Sequence, residues 1–493
     1  MFRIALSNAL FLVILSHSFA LMANPQPKKK KPRNVIFILT DDHRFDYMGF
    51  TGKIPWLKTP NMDRLAKEGA YLPNSFVTTS LCSPSRASIL TGQFSHTHTI
   101  IDNQAPDPGN LTYFPTYLQK AGYQTSFFGK WHMGDSSDNP RAGFDHWESF
   151  KGQGVYYNPE LNINGERIAY KDSTYITDLL TEHAISWLDE RDRSKPFFMY
   201  LSHKAVHAAF KPAKRHLGVY KNKKIPIPPT FEQSKTGKWR DLKWPEWIAK
   251  QRVSWHGVDY MYHDNQDLHE LVQAYCETLL GVDDSIGAVM SYLESEGIDD
   301  STLVIYMGDN GFSWGEHGLI DKRHFYEESV KVPLLVRCPE LFEGGITPTA
   351  MVQNIDIAPT ILAEAGLKQP EHMPGVSFVD VLTGENPAGA RKEIFYEYYW
   401  ENDFPMTPTV FGMRTNKYKY IRYHGIWDRN ELYDLENDPH EMYNLIADPS
   451  KQDTIKSMLN SLYKWLEESD GMNIPLKPTD RPRWGDFKHA KEY

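Results

Sequence analysis

Apolar runs alternate with amphipathic segments over the first three quarters of the chain. Asn34–Leu39 (NVIFIL) and Pro196–Leu201 (PFFMYL) are almost wholly apolar, which is typical of strands buried on both faces. Thr59-Pro60 opens a helical segment that Gly69 closes, because proline favours the first helical position. The alternation predicts an α/β fold, a large and mostly parallel sheet sandwiched by helices. The remaining segments are Pro115–Ala121, Thr174–Leu188, His269–Gly297 and Ile357–Ala365 as helices, and Gln124–Phe128, Thr302–Met307 and Val332–Arg337 as strands.

The pattern changes near Glu393, where short strand-like pieces separated by turn residues replace the long runs. We predict a smaller C-terminal α+β domain at residues 391–493, with an antiparallel sheet and a final helix at Thr454–Glu468. The main domain then covers residues 33–390. Within it, residues 211–265 are rich in Lys, Trp and Pro and are predicted to form a long insertion. The four strand-like pieces are Ile394–Tyr399, Phe411–Arg414, Tyr418–Tyr423 and Glu431–Asp434.

The N-terminus predicts export. The apolar stretch Ile4–Leu15 follows Arg3 and is too short for a comfortable membrane span, as in a secretory signal peptide. We predict a signal peptide at residues 1–23, cleaved near Ala20 or Ala23, and a basic linker at residues 24–32. An uncleaved anchor is the alternative. No other run reaches the length of a stable membrane span, so we expect a periplasmic or secreted bacterial protein.

Composition and charge exclude several classes of protein. A mean hydropathy of −0.53 argues against a polytopic membrane protein. The 54 basic and 63 acidic residues give a net charge of −9, so we expect no nucleic-acid partner. Three cysteines in 493 residues are too few for a disulfide framework. Whether Cys276 and Cys338 pair is open, and at least one thiol needs another explanation.

Carboxylates follow two of the predicted strands directly. Asp41 and Asp42 come after the run at Asn34–Leu39, and Asp309 and Asn310 come after the strand at Thr302–Met307. In parallel sheets the carboxyl ends of the strands form the usual ligand-binding edge. An all-oxygen set of this kind suits Ca²⁺ or Mg²⁺ rather than zinc. Singly, each motif is more typical of a helix cap or a turn, and only their matching positions favour a metal site.

A third motif, Cys-Ser-Pro-Ser-Arg, surrounds the first cysteine of the chain. Pro84 is suited to the first helical position and Gly92 to the residue after the helix, so we expect Cys82 to lie just before a helix N-terminus. Unpaired N–H groups and the helix dipole favour a developing anion there. Arg86, about one turn further on, adds a permanent positive charge. A buried structural cysteine is the alternative.

Together these motifs resemble the signature of formylglycine-dependent type I sulfatases in the alkaline-phosphatase superfamily. The resemblance covers roughly residues 33–470 and includes TPNMDRLAKEGA, GKWHMG, SHKAVHA, GDNG and YEESVKVPLLV. The sequences of these motifs are most similar to those of the polysaccharide branch of the family, which includes N-acetylglucosamine-6-sulfatases. The resemblance implies that residues 33–390 form a sulfatase catalytic domain with an alkaline-phosphatase-like fold. It also implies the activity of a sulfuric ester hydrolase.

The resemblance further implies the roles of individual residues. A formylglycine-generating, sulfatase-maturing enzyme would convert Cys82 to formylglycine (3-oxoalanine), whose hydrate is the nucleophile. Arg86 would stabilise this hydrate, and Lys130 and His132 would lie beside it. His207 would act as the general acid, with Lys322 also near the bridging oxygen, whereas His203 and His324 stay open between a catalytic and a structural role. One Ca²⁺ would be bound by Asp41, Asp42, Asp309, Asn310 and the modified Cys82.

The expected function is that of an exported sulfatase acting on a sulfated oligo- or polysaccharide such as glycosaminoglycan, mucin or algal polysaccharide. A phosphonate monoester hydrolase or phosphodiesterase of the same superfamily is one rival, and a catalytically inactive glycan-binding relative is another. Regioselectivity, exo or endo action and oligomeric state stay open. The residues of the insertion predicted to contact a sugar chain are Trp239, Arg240, Trp244 and Trp247, with a packed surface loop as the alternative. The residues of the smaller domain predicted to reach the rim of the pocket are Tyr398, Tyr399, Trp400 and His424.

Overall fold

The computed structural model describes residues 32–133, 137–235, 237–261, 267–385, 391–401, 403–424 and 428–474. The predicted signal peptide, and the predicted linker apart from residue 32, lie outside the described residues. Residues 386–390, at the predicted boundary between the two domains, lie outside them as well, and that boundary stays a prediction. Within the described ranges no helix has both the length and the apolar character that a membrane crossing requires.

The described residues form fifteen strands and eleven α-helices. The strands are β1 (Asn34–Thr40), β2 (Ala70–Tyr71), β3 (Ser75–Phe76), β4 (Gln124–Lys130), β5 (His146–Phe150), β6 (Glu160–Ile163), β7 (Glu166–Ala169), β8 (Phe197–Ser202), β9 (Thr302–Gly308), β10 (Leu334–Arg337), β11 (Val352–Gln353), β12 (Glu393–Tyr398), β13 (Val410–Thr415), β14 (Tyr418–Tyr423) and β15 (Glu431–Asp434). The helices are α1 (Pro60–Glu68), α2 (Cys82–Thr91), α3 (Ser95–His98), α4 (Pro115–Lys120), α5 (Ile176–Glu190), α6 (Glu246–Arg252), α7 (Leu268–Ser295), α8 (Glu327–Val330), α9 (Ile357–Glu364), α10 (Val379–Thr383) and α11 (Gln452–Glu468).

The main sheet has nine strands in the order β2-β10-β9-β1-β8-β4-β5-β6-β7. Its centre, from β9 through β1 and β8 to β4 and β5, is parallel, which confirms the predicted fold class. Strand β10 was predicted as one of the apolar runs, but it pairs antiparallel with β9. Strands β6 and β7 also pair antiparallel, at the other edge. The sheet is therefore mixed at its edges and parallel where ligand sites form.

The continuous apolar runs are explained by two separate cores, one on each face of the sheet. In β1, Val35, Phe37 and Leu39 point into one core, whereas Ile36 and Ile38 point into the other. All five side chains are fully buried. A strand covered on both faces has no polar side to show, so the usual alternation of polar and apolar residues is absent.

The smaller C-terminal sheet is antiparallel, as predicted. Its strands lie in the order β12-β13-β14-β15. Helix α11 packs against it through Trp465, whose ring stacks on Phe395 with centroids 4.8 Å apart. The same tryptophan contacts Phe94 and His96, which belong to the segment that follows α2. The C-terminal helix thus joins its own sheet to the segment that follows α2.

Three tryptophans of the insertion at residues 211–265 pack inside the protein. Trp239, Trp244 and Trp247 are 8%, 0% and 2% exposed, and the Trp244 Nε1–H donates to the Met442 carbonyl at 2.8 Å. The packed-loop alternative therefore holds for these three residues, and the predicted sugar contact is wrong for them. Arg240 is exposed and its guanidinium lies 4.5 Å from the Trp239 ring centroid.

Candidate active site

The ends of four neighbouring parallel strands bring the predicted site residues to one edge of the sheet. Asp41 and Asp42 follow β1, Asp309 and Asn310 follow β9, and Lys130 is the last residue of β4. His207 lies in the segment that follows β8. This edge gathers all ten residues predicted from the sequence: Asp41, Asp42, Cys82, Arg86, Lys130, His132, His207, Asp309, Asn310 and Lys322.

Helix α2 presents the cysteine at its own N-terminus. The helix begins at Cys82 and not at Pro84 as predicted, because the Ser85 N–H already donates to the Leu81 carbonyl at 3.0 Å. The Ser83 N–H is capped by Asn103 Oδ1 at 3.1 Å. Gly92 ends the helix in the left-handed conformation, φ 67°, as its position predicted. Every residue of α2 is buried, so Cys82 is held rigidly.

Three carboxylates crowd around the cysteine sulfur. One oxygen from each of Asp41, Asp42 and Asp309, together with Cys82 Sγ, lie within 4.8 Å of one another, and all four residues are buried. Asp42 has φ 55°, a conformation that is uncommon outside glycine. Its backbone is held there because its N–H donates to Asp309 Oδ1 at 3.0 Å and its carbonyl accepts from the Tyr275 hydroxyl at 2.8 Å. Strain held in this way is typical of functional sites.

The electrostatics of the three carboxylates are unequal. Burial and the neighbouring Asp41 carboxylate raise the pKa of Asp309 to about 6. Burial also raises the pKa of Asp42, with Asp41 acting in the same direction. Although burial alone would raise it, Lys130 and other nearby cations hold the pKa of Asp41 well below its usual range. Each carboxylate has one cationic partner, Lys130, Lys322 or Arg86, yet burial still disfavours the charged form of Asp42 and Asp309.

The donor atoms fit a divalent metal ion. Asn310 Nδ2 donates to Asp42 Oδ1 at 2.8 Å, while Asn310 Oδ1 is buried without a hydrogen-bond partner among the described residues. A buried amide oxygen without a partner is costly, and a cation would satisfy it. Three carboxylates and one amide oxygen form an all-oxygen set, which suits Ca²⁺ or Mg²⁺.

Three cationic side chains surround the sulfur. Lys322 Nζ lies 3.1 Å from Cys82 Sγ and donates to Asp42 Oδ1. Lys130 Nζ donates to Asp41 Oδ2 and, at 2.5 Å, to Gln153 Oε1. Arg86 Nε donates to Asp309 Oδ2 at 2.9 Å. The pocket is therefore built to receive an anion next to the sulfur.

The thiol itself is poorly suited to act as a nucleophile. Its Sγ lies 3.2 Å from Asp41 Oδ1, and burial together with this carboxylate raises the pKa of Cys82 well above its usual value. Reactive cysteines require the opposite, a lowered pKa in an electropositive and accessible position. Burial and the neighbouring carboxylate therefore disfavour the thiolate form of Cys82.

Two predicted histidines border the pocket. His207 Nε2 lies 3.9 Å from Asp42 Oδ2, and its Nδ1 donates to the Ala208 carbonyl at 2.7 Å. His132 has φ 54°, and its Nδ1 lies 3.3 Å from the Ser83 hydroxyl. Burial lowers the pKa of both residues well below the usual range, with Lys130 contributing in each case. Both rings are therefore neutral before an anion binds.

Other predicted residues lie elsewhere. His203 Nε2 is 3.1 Å from the Ser285 hydroxyl of α7, and His324 Nε2 is 3.0 Å from the Ser313 hydroxyl, both structural contacts. Tyr398 and Tyr399 are buried and donate to Glu401 and Glu397, so their predicted place at the pocket rim is wrong. Trp400 is half-buried and His424 is exposed.

Two further residues of the pocket escaped the sequence analysis. Gln153 follows β5, a strand that was not predicted, and it reaches Lys130. Lys204 belongs to the SHKAVHA motif, yet nothing in the sequence distinguishes it from a solvated lysine. Its position three residues before His207 is the one signal that could have placed it near the site.

Comparison with known proteins extends over nearly the whole described chain. The family model described as Sulfatase matches residues 33–367, and the model described as N-sulphoglucosamine sulphohydrolase, C-terminal, matches residues 315–468. An N-acetylglucosamine-6-O-sulfatase of Bacteroides thetaiotaomicron is 35% identical over 94% of this chain and 92% of its own. An N-acetylglucosamine-6-sulfatase of Capra hircus is 30% identical over 88% of this chain and 81% of its own.

A solved structure is similar in fold over the same range. It is that of a protein in complex with its substrate, D-glucosamine-2-N,6-O-disulfate. The TM-score is 0.79 at 33% sequence identity, and the match covers 90% of this chain and 99% of the other. The sequence resemblance and the fold therefore agree.

Proposed function

The chain belongs to the sulfatase family and is a hydrolase of sulfate esters, and from this premise we propose that it removes the 6-O-sulfate from glucosamine residues of a sulfated glycan. Two relatives at 30% identity or more carry the name of this activity, and a structural neighbour was solved with a 2-N,6-O-disulfated glucosamine. The observation that carries the chemistry is the buried Cys82 sulfur, which lies between Lys322 and Asp41 in a pocket of cations. Glycosaminoglycan, mucin and algal polysaccharide are the substrate sources that we consider.

The proposal includes the conversion of Cys82 to formylglycine by a maturing enzyme. Its support is the Cys-Ser-Pro-Ser-Arg motif together with the unreactive, buried thiol. When present, the hydrated aldehyde supplies a nucleophilic hydroxyl, and a second hydroxyl makes the attached sulfate easy to release. Arg86 fits the role of a fixed neighbour of this group because its guanidinium is anchored by Asp309, Ser202 and the Lys130 carbonyl.

The proposal also includes one calcium ion. Asp41, Asp42, Asp309, Asn310 and the modified Cys82 would bind it, since burial disfavours the charged form of two of the carboxylates and the Asn310 oxygen has no hydrogen-bond partner among the described residues. When bound, the ion would offset the carboxylates and withdraw negative charge from the substrate sulfate. An all-oxygen site suits Mg²⁺ as well, and the family resemblance is what favours calcium.

The chain's own side chains would carry out the rest of the reaction. Lys130 and Lys322 would contact the non-bridging oxygens of the sulfate, where negative charge persists into the transition state. His207 would donate a proton to the bridging oxygen as the alcohol leaves, because the bound anion raises the pKa of its ring. His132 would accept a proton during release of sulfate. Lys130, Lys322 and His132 are buried and His207 is half-buried, and each already makes a hydrogen bond, so little reorganisation is needed.

Export forms the last part of the proposal. The apolar stretch at residues 4–15 after Arg3 supports a signal peptide, and sulfated polysaccharides are met outside the cell. The N-terminal sequence of protein purified from the periplasm or medium tests it. A mature chain that begins near residue 21 or 24 is expected, and full-length protein in the cytoplasm would contradict export.

The experiment that tests the reaction compares two esters of one alcohol. Protein co-expressed with a formylglycine-generating enzyme is assayed on N-acetylglucosamine-6-sulfate and on the corresponding 6-phosphate. We expect release of sulfate at the higher kcat/KM, and loss of it in Cys82→Ala. Cys276→Ala is the matched control, because Cys276 is equally buried but lies in helix α7. A preference for the phosphate ester would favour the phosphonate monoester hydrolase rival, and equal activity of Cys82→Ala would overturn the proposed nucleophile.

A further inference from the structure

Lys204 is a buried cation without a counter-ion. Its side chain belongs to a residue that is 4% exposed, yet its ammonium makes no hydrogen bond or ion pair with any residue that the structure describes. Its nearest defined contact is the Tyr156 ring, whose centroid lies 4.9 Å from Lys204 Nζ. An aromatic face stabilises a cation but does not replace a carboxylate.

The other lysines of the pocket differ in this respect. Lys130 donates to Asp41 and Lys322 donates to Asp42, so each has a carboxylate partner. A buried charge that lacks such a partner is strongly unfavourable. Lys204 therefore fits a position where a ligand, and not the protein, provides the negative charge.

The surroundings of Lys204 indicate where that charge would lie. The residues directly after Lys204 are bound to the catalytic pocket, because the Asp41 N–H donates to the Ala205 carbonyl at 2.8 Å and the Val206 N–H donates to the Asp41 carbonyl at 2.7 Å. Asp41 and Asp42 attract the Lys204 ammonium, whereas Lys130 repels it. Burial, together with repulsion from Lys130, lowers the pKa of Lys204 to about 7. Once a metal ion offsets the two aspartates, their attraction for the ammonium disappears, and a substrate anion is the remaining partner.

The backbone places Lys204 beside the predicted general acid. The His207 N–H donates to the Lys204 carbonyl at 3.1 Å, so one tight turn carries both side chains. The Tyr156 hydroxyl donates to the His207 carbonyl at 2.6 Å, while the ring of the same tyrosine contacts the Lys204 ammonium. Tyr156 thus fixes the two residues on the same side of the pocket.

We propose that Lys204 is a further sulfate-binding residue, which contacts a non-bridging oxygen of the sulfate group that is cleaved and supplements Lys130 and Lys322. The proposal rests on the proposed function, since it takes the sulfate ester to be bound at Cys82. It differs from a second anion-binding subsite for a neighbouring substituent, because the backbone next to Lys204 is hydrogen-bonded to Asp41 of the nucleophile pocket and to His207.

The test uses the formylglycine-bearing, calcium-loaded protein with Lys204→Met and Lys204→Arg. Substrates are N-acetylglucosamine-6-sulfate and glucosamine-2-N,6-O-disulfate, and inorganic sulfate serves as the binding probe. We expect Lys204→Met to lose roughly 10²-fold in kcat/KM on both substrates, and Lys204→Arg to recover part of it. Inhibition by inorganic sulfate should weaken roughly tenfold. The melting temperature of Lys204→Met should not fall, because the variant removes an unpaired buried charge and keeps the aliphatic stem.

Lys171→Met, an exposed lysine outside the pocket, is the control and should match the wild type in all three measurements. A loss confined to the disulfated substrate would overturn the proposal in favour of a second subsite. Unchanged kcat/KM and sulfate inhibition would overturn it outright, as would a lowered melting temperature with unchanged sulfate inhibition. If the wild type hydrolyses neither substrate, the proposed function fails instead. The rise in melting temperature with inorganic sulfate, present in the wild type and absent in Lys204→Met, would still support Lys204 as the anion-binding residue.

Discussion

Two of the buried charge clusters among the described residues, the catalytic pocket and an interface cluster, are organised in opposite ways. In the catalytic pocket, three carboxylates crowd together, the Asn310 oxygen has no described partner, and Lys204 has no counter-ion. The interface cluster, formed by Glu327, Arg414, Lys419, Glu431 and Glu441, lies between α8 and the C-terminal sheet. Its members are matched with each other or with tyrosine hydroxyls.

Partners can be named for each member of the interface cluster. Glu327 pairs with Arg414 at 3.0 Å and with Lys419 at 2.8 Å, and Lys419 also pairs with Glu441 at 2.7 Å. Glu431 accepts hydrogen bonds from three tyrosine hydroxyls. Burial raises the pKa of Glu431 and of Glu441 to about 7, whereas Arg414 and Lys419 lower the pKa of Glu327 although burial alone would raise it. A matched cluster holds two elements together, whereas an unmatched one indicates where a ligand completes the set.

The largest effect is expected from a substitution in the catalytic pocket. Asp309→Asn removes one carboxylate of the pocket and should lower kcat/KM on N-acetylglucosamine-6-sulfate by roughly 10³-fold. The metal-free protein should be at least as stable as the wild type, because burial and Asp41 disfavour the charged form of Asp309 by more than its ion pair with Arg86 favours it. Steady-state kinetics and urea unfolding measure the two effects. Retained activity, or a large loss of stability, would place Asp309 among the structural charges.

The next effect breaks the interface cluster. Lys419→Met leaves Glu327 and Glu441 buried with one cation fewer, and removing one member of a buried pair costs about 3–5 kcal/mol. We expect a corresponding fall in the free energy of unfolding, with kcat of the folded protein little changed. Lys417→Met is the matched control, since its ion pair with Glu436 is exposed and contributes about 0–1 kcal/mol. A loss of activity larger than the loss of folded protein would contradict a purely structural role.

The smallest effect is expected in the pH dependence of the stability of the metal-free protein. The pKa of Asp309, raised from 3.8 to about 6 by burial and Asp41, means that the metal-free folded protein binds a proton the unfolded chain has released. The Asp309 contribution to stability should therefore fall as pH rises from about 4 to about 6. The difference between wild type and Asp309→Asn in urea unfolding isolates this contribution. Calcium should abolish the slope, because the metal displaces the proton. A contribution that rises with pH would be the opposite sign and would contradict the account.

Sequence reasoning reached some parts of this structure and not others, for physical reasons. Strand β1 was predictable because a strand buried on both faces must be apolar throughout. The direction of β10 was not, since an apolar run has the same pattern in a parallel and an antiparallel pair. Strand β5 (HWESF) was missed because it carries polar residues, and Gln153 was missed with it.

The candidate site shows the same division. Adjacent aspartates after a strand, and a cysteine in a signature motif, are recognisable in the sequence and do lie together. Lys204 is different, because a lysine is usually solvated and only the fold shows that this one is buried without a partner. The start of α2 was misplaced by two residues, since Pro84 is compatible with the third helical position as well as with the first.

We propose that Cys82 in the catalytic pocket becomes the formylglycine nucleophile. The most direct test is the mass of the peptide that contains Cys82, measured in protein that actively hydrolyses sulfate esters. We expect the mass of an aldehyde or its hydrate at Cys82, and reactivity of this peptide with a hydrazide probe. Cys276 and Cys338, which are both buried and free in the structure, should remain unmodified thiols. A fully active protein with an intact thiol at Cys82 would contradict this proposal.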